Sequence, residues 1–219
     1  MSIHRTKLKV IATGELIDAE LNDALSLSDL LDAQALWAPE KILIAKQFLQ
    51  RGVDKAHWPQ SLHWNWAEKA VALQPYAPGP LSAFRLFGIA AEGKWQGILL
   101  ACSVGHHAKL GAPNRDLVYV DFVENAPWNW DLQHIDQKRR LGGLGRQLLE
   151  LAVQWSEDLG LKGRTGLHSL YQSESFYRDG CKMTDLGEDP GYNPRLTRPL
   201  RYFEFSEAQA RAFLGGAQP

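Results

Sequence analysis

The sequence predicts an α/β fold in which a sheet of mixed strand directions is flanked by helices. Three observations carry that expectation: helix-period apolar spacing through the first third, hairpin-like β-prone runs after residue 80, and one glycine-punctuated strand, loop and helix between residues 117 and 159. In the first third, Ser26 to Leu36, Glu40 to Gln50 and Pro59 to Leu73 have amphipathic spacing; Ile42, Leu43, Ala45, Lys46 and Leu49 illustrate the pattern. Ser28 and Asp29 suit a helix cap, and Pro39 and Pro59 suit first turns. The proline-rich stretch Gln74 to Pro80 then separates a helical N-terminal region, residues 1–80, from a core at residues 81–219, the two expected to pack as one unit.

Beyond it, Phe84 to Ala90, Trp95 to Val104 and Leu117 to Val123 read as strands, with Ala91-Glu92-Gly93-Lys94 as the turn between the first two. Gly143 to Leu159 repeats at the helical period, with Leu144, Leu148, Leu151, Ala152 and Trp155 on one stripe and Gly160 as the stop. Strands at Thr165 to Leu167, Met183 to Leu186 and Arg201 to Phe205 follow, with a short helix around Ser173 to Arg178. The last helix, Ser206 to Leu214, opens with the capping box Ser206-x-x-Gln209.

Composition narrows the function classes. A hydrophobic share of 45% over 219 residues supports a substantial core, which excludes disorder as the main state. Lys plus Arg at 24 against Asp plus Glu at 25 leaves a net charge of −1, which argues against wholesale nucleic-acid coating. The longest nearly apolar stretch, Gly97 to Gly105, falls far short of the roughly 20 residues that span a bilayer. Met1 to Lys7 is basic but lacks the apolar run of a secretory signal, and two cysteines, Cys102 and Cys181, form neither a disulfide framework nor a zinc quartet. The expected compartment is the cytoplasm.

The informative stretch is Lys138-Arg139-Arg140-Leu141-Gly142-Gly143-Leu144-Gly145-Arg146, which follows an apolar strand and opens the strongest helix. A helix N-terminus has unpaired N–H groups and a partial positive charge, so glycines that leave it open make it fit for pyrophosphate. Arg139, Arg140 and Arg146 add charge. A Walker loop is excluded because Arg146-Gln147 follows Gly145, and a dinucleotide fingerprint because Leu148 stands where its third glycine belongs.

The pattern Arg/Gln-x-x-Gly-x-Gly/Ala, here Arg140-Leu141-Gly142-Gly143-Leu144-Gly145, resembles the coenzyme A pyrophosphate loop of the GCN5-related N-acetyltransferases. The flanking order is similar too: the strand Leu117 to Glu124 before the loop, the long helix after it, and then Leu167 to Gly180 with its Phe176-Tyr177 pair. The resemblance covers roughly Phe84 to Phe205. It departs at Cys181-Lys182, where the family commonly has Gly-Phe, and at Asn125 to Gln137, a longer connection than usual. It implies a mostly antiparallel central sheet flanked by helices, acetyl-CoA as cosubstrate and no metal. It also implies a coenzyme-binding set of Val123, Asn125, Arg139, Arg140, Leu141, Gly142, Gly143, Leu144, Gly145, Arg146, Ser169 and Phe176, with backbone N–H groups near Val123 or Asn125 on the acetyl carbonyl and pantetheine.

Amine attack on a thioester needs an amine proton removed, an oxyanion stabilised and a leaving thiolate protonated. Tyr177 suits the last role, since a phenol with pKa about 10 is protonated at neutral pH, and the resemblance puts it at the family's thiolate-protonating tyrosine. For the base, Asp121 and Glu124 interrupt an apolar strand; with period two they lie on opposite faces, so at least one faces a cleft. Glu124 is favoured, because similar enzymes often bulge at the end of this strand. Trp128 and Trp130, inside the long connection, are candidates for an acceptor wall that orders a cation. His106, His107, His134 and His168 carry no metal or triad spacing, and Cys181 lacks an orienting histidine.

The reading is therefore an acetyl-CoA-dependent N-acetyltransferase acting by direct transfer to a primary amine of a small molecule or peptide. The alternatives are a non-catalytic acyl-CoA sensor of the same fold and an RNA-directed acetyltransferase. The expected partners are acetyl-CoA and an amine acceptor, with nucleic acid disfavoured, no membrane, and a homodimer compatible with the sequence.

Overall fold

The structure is a computed structural model that describes residues 3–76, 82–111, 114–193 and 198–216. Most of the proline-rich boundary, at 77–80, lies outside the described residues. In chain order the elements are β1 (Ile3–Val10), β2 (Leu16–Asn22), α1 (Leu27–Gln50), α2 (Trp66–Leu73), β3 (Phe84–Ala91), β4 (Lys94–Cys102), β5 (Val118–Asn125), β6 (Leu141–Gly142), α3 (Leu144–Asp158), β7 (Thr165–Ser169), β8 (Thr184–Glu188), β9 (Arg201–Phe205) and α4 (Glu207–Gly215). The architecture is mixed α/β with mostly antiparallel strands flanked by helices, as expected. The chain forms two compact units, Met1–Leu99 with Val123–Leu148 and Leu100–Phe122 with Leu149–Pro219, rather than dividing at residue 80.

In the first unit the strand order is β6-β1-β2-β3-β4. The hairpin β1–β2 replaces the first part of the expected helical third. One face of the hairpin turns inward, with Leu8 and Ala19 buried and Thr6, Val10, Ile17 and Leu21 partly so, while the other face carries paired charges: Arg5 faces Glu20, and Lys7 faces Asp18 with Nζ 2.6 Å from Oδ1.

Helix α1 is one helix where two were expected, because Pro39 lies inside it. A proline interior to a helix removes one N–H and crowds the carbonyl four residues back. Pro39 and Ala35 lie on the outer side of α1, so the ring and the crowded carbonyl can tilt away from the core without disturbing its packing. The N-cap is Ser26, two residues before the expected Ser28, with Asp29 completing a capping box. The buried stripe is Leu30, Ala33, Trp37, Lys41, Ile44 and Phe48, so Ile42, Leu43 and Leu49, expected to face inward, face out. Of the expected helix over 59–73 only α2 forms, capped by Asn65 and packed on α1.

In the second unit the order is β5-β7-β9-β8. Strands β5 and β7 run parallel and pair at Val118–Val120 with Thr165–Leu167, where the ladder ends although β5 continues to Asn125. Strand β9 is antiparallel to β7 and β8, with a register shift between Asp185 and Glu188. The expected short helix is a 3₁₀ turn, Tyr171–Ser173, followed by a single π-helical turn, Phe176–Gly180. Helix α4 opens with the predicted Ser206/Gln209 capping box and sets Phe213 against Phe205, centroids 4.8 Å apart. Helix α3 buries Leu144, Leu148, Ala152 and Trp155 of its predicted stripe.

Candidate functional site

The glycine loop is held from behind by β1. Lys9 pairs with Gly142 and Val10 with Leu141, the Ile11 N–H donates to the Arg140 carbonyl (2.9 Å), and the Leu141 N–H donates to Asn129 Oδ1 (3.1 Å). Gly143 has φ +86°, and a Cβ there would meet only Gln147 Nε2 at 3.8 Å, so this glycine serves the backbone and leaves its outer side open. Helix α3 begins at the next residue, Leu144. Gly142 has a different reason: a Cβ there would come within 2.8 Å of Ile11 Cδ1. Leu141 and Leu144 are buried, so they could serve a ligand through their backbone alone.

The charge around the loop is partly spent internally. Arg140 forms a two-pronged pair with Glu92 of the β3–β4 turn, at 2.5 Å, and this guanidinium holds the Glu92 carboxyl below its usual range. Arg140 therefore does not bring its full charge to an anion. Arg139 is exposed and Arg146 half-buried.

Glu124, the penultimate residue of β5, lies in a fully enclosed setting. Its Oε1 lies 2.8 Å from Lys41 Nζ, and its Oε2 accepts from Trp66 Nε1 at 2.7 Å. Lys41 also donates to the Trp64 carbonyl at 2.8 Å. Burial pushes the Glu124 carboxyl up, with the Lys41 ammonium and the Trp66 indole opposing it. The next residue, Asn125, has its Oδ1 buried with no donor among the described residues, and its carbonyl accepts from Trp130 Nε1 at 2.9 Å. Val123 is half-buried.

The long connection is ordered rather than open. Trp128 Nε1 donates to Gln96 Oε1 (2.7 Å), Asn129 Nδ2 donates to the same oxygen (3.0 Å), and Gln137 Nε2 donates to the Pro127 carbonyl (2.8 Å). Each tryptophan ring already has a cation of this chain beside it, Lys94 at 5.8 Å from Trp128 and Lys41 at 5.8 Å from Trp130. The cation that these rings were expected to order in an acceptor is supplied from within.

The second unit holds the remaining candidates. Tyr177 sits in the π-turn, buried against Phe176 (5.0 Å between centroids) and Phe203 (5.8 Å). Burial, with Cys181 nearby, raises its phenol, which keeps it protonated at neutral pH. Ser169 is buried with its hydroxyl given to the Leu170 carbonyl at 2.7 Å. Asp121 is half-buried on β5.

Two arrangements escaped the sequence. Lys41 is a lysine on the apolar stripe of α1, a signal that the outward face of the helix masked. Tyr119, His168 and Asp189 form a chain, with Tyr119 Oη 2.7 Å from His168 Nδ1 and His168 Nε2 3.3 Å from Asp189 Oδ2. Lys109, 2.8 Å from Asp189, and then His168 hold that carboxyl down to about 2, while burial lowers the imidazole. An Nε2-protonated imidazole satisfies both neighbours. No local spacing links residues 119, 168 and 189. Among the described residues no group of His, Cys, Asp and Glu could hold a metal, and no helix is long and apolar enough to cross a membrane.

No protein-family model and no curated protein sequence matches the chain. Solved structures do. A protein assigned as arylalkylamine N-acetyltransferase 7 of the yellow fever mosquito has a TM-score of 0.53 at 10% identity, covering 93% of this chain and 94% of that one. Mycobacterium smegmatis RimJ, solved with CoA-disulfide, has a TM-score of 0.47 at 14% identity, covering 96% and 93%. At such identities the likeness is one of fold, and with the glycine loop and strand order described above it gives the chain the architecture of the GCN5-related N-acetyltransferases.

Proposed function

We propose that the protein is a cytoplasmic acetyl-CoA-dependent N-acetyltransferase that transfers acetyl directly to a primary amine of a small molecule or peptide. The observation that carries this reading is Gly143, whose φ of +86° and open side sit immediately before the first turn of α3. The backbone of Gly142 to Arg146 would hold the pyrophosphate, with Arg139 and Arg146 adding charge. The β5 backbone at Val123 and Asn125 would hold the pantetheine arm, and the orphan Asn125 Oδ1 suits an amide N–H of that arm. When bound, acetyl-CoA supplies an activated thioester.

The base is a β5 carboxylate that accepts the proton the attacking amine loses: Glu124, whose carboxyl burial raises but whose oxygens must first leave Lys41 and Trp66, or else the half-buried Asp121. As the new C–N bond forms and the C–S bond breaks, Tyr177 gives its proton to the departing thiolate. Both free cysteines are buried, which suits a reducing compartment.

Acetyl-CoA should raise the melting temperature, since a ligand at 100 times its Kd stabilises the folded state by about 2.7 kcal/mol. Gly143→Val should remove most coenzyme affinity in calorimetry, at a cost of roughly 1–2 kcal/mol in the free protein from the left-handed backbone. Absence of any shift at millimolar acetyl-CoA or other acyl-CoAs would end this reading. Thiol release with an amine panel separates turnover from sensing. In that assay Glu124→Gln should abolish the acidic limb of the pH-rate profile; persistence of the limb there and its loss in Asp121→Asn would transfer the base role to Asp121.

A further inference from the structure

Helix α1 carries a second face, rich in large apolar side chains, that none of the described residues covers. Ser28, Asp32, Ala35, Pro39, Ile42, Lys46 and Leu49 are all exposed and follow one another at alternating spacings of four and three, the repeat that lines a straight seam on a helix. Leu31, Leu36 and Leu43 flank the seam. The large residues are far from covered: Leu31 is 48% exposed, Leu36 44%, Ile42 57%, Leu43 50% and Leu49 64%. Five large apolar side chains exposed on one side of a single helix are more than a monomer usually shows, and the opposite face of α1 already supplies its contact with the core.

We propose that this face pairs with the same face of a second copy, the two α1 helices running antiparallel about a twofold axis at Pro39. The seam is complementary to itself in that register. Ser28 meets the partner's Leu49, Asp32 the partner's Lys46, and Ala35 the partner's Ile42, with Pro39 meeting its own equivalent on the axis. The two charges of the seam thus fall opposite each other twice, and neither makes an ion pair within its own chain among the described residues. Small Ala35 opposite branched Ile42 keeps the layers even, and Pro39 places no long side chain on the axis. A parallel pair would instead set Asp32 on Asp32 and Lys46 on Lys46. A membrane surface fits less well, because one lysine and one aspartate lack the basic fringe of an interfacial helix.

Sedimentation equilibrium of the full chain should show a dimer. Ile42→Glu should give a monomer with unchanged circular dichroism, because that side chain lies outside the core, and with a melting temperature that no longer rises with protein concentration. Asp32→Lys and Lys46→Asp should each weaken the dimer roughly tenfold or more through like-charge contact, and the double reversal should restore it. A parent that stays monomeric at 100-micromolar-scale concentration overturns the proposal, as does a dimer indifferent to Ile42→Glu or not recovered by the double reversal. Cosedimentation of a monomeric parent with anionic vesicles would assign the face to a membrane instead.

Discussion

Lys41→Met should cost about 3–5 kcal/mol of folding stability at neutral pH, the range for removing one partner of a buried ion pair. Lys41 and Glu124 have side chains 6% and 1% exposed, so neither charge has water to fall back on. Without the ammonium, Glu124 Oε1 loses its counter-charge, and only uncharged donors, the Trp66 indole and the Ser61 hydroxyl, remain on the carboxylate. The pH dependence fixes the cause. Burial already raises the Glu124 carboxyl, and removing Lys41 raises it further, so the folded variant binds a proton more readily than the unfolded chain. A group raised in this way favours the folded state below its unfolded pKa, and that advantage disappears as pH rises through the folded pKa. Urea titrations should therefore show Lys41→Met recovering toward acid and weakening toward neutral, relative to parent. The double variant Lys41→Met with Glu124→Gln should regain much of the loss at neutral pH, since a neutral amide still accepts from Trp66. A loss that is flat with pH and persists in the double variant would make Lys41 a packing residue.

Elements with one dominant local signal were readable in the sequence. The Ser206-x-x-Gln209 cap, strand β9 and the glycine loop before α3 each rest on a short-range rule, and each stands where that rule puts it. What was not readable needed a choice between equivalent patterns or a long-range partner. Helix α1 is apolar on two faces, so periodicity could identify a helix without saying that Lys41, rather than Ile42, turns inward. The β1–β2 hairpin does carry apolar alternation, in Thr6-Lys7-Leu8-Lys9-Val10 and Ile17-Asp18-Ala19-Glu20-Leu21, but over runs of only five residues, while its cross-strand charges had meaning only once paired. The same holds at the site. Gly143 was legible because its conformation is local, whereas Glu92 beside Arg140 and Lys41 beside Glu124 are separated from their partners by 48 and 83 residues respectively. Arg140 consequently looked like charge reserved for a phosphate, and the tryptophan pair like an open wall.

Tyr177→Phe should lower kcat by roughly 10²-fold with little change in the affinity for acetyl-CoA, within the range for a lost general acid. This expectation rests on the proposed transfer reaction and on the surroundings of the phenol. The side chain is buried beside Phe176 and Phe203, and burial raises its pKa. An acid is effective only while it holds its proton, so a raised pKa keeps Tyr177 competent well past neutrality. The parent should accordingly show no basic limb from Tyr177 below about pH 10, the ordinary tyrosine value. Phenylalanine keeps the ring and its packing, so melting should change little and the deficit should reside in turnover. The size of that deficit should shrink when the leaving thiol is made more acidic, because a better leaving group needs the proton less. A variant as fast as the parent with every acyl donor would leave Tyr177 as a core aromatic, and the leaving thiolate would then depart without its help.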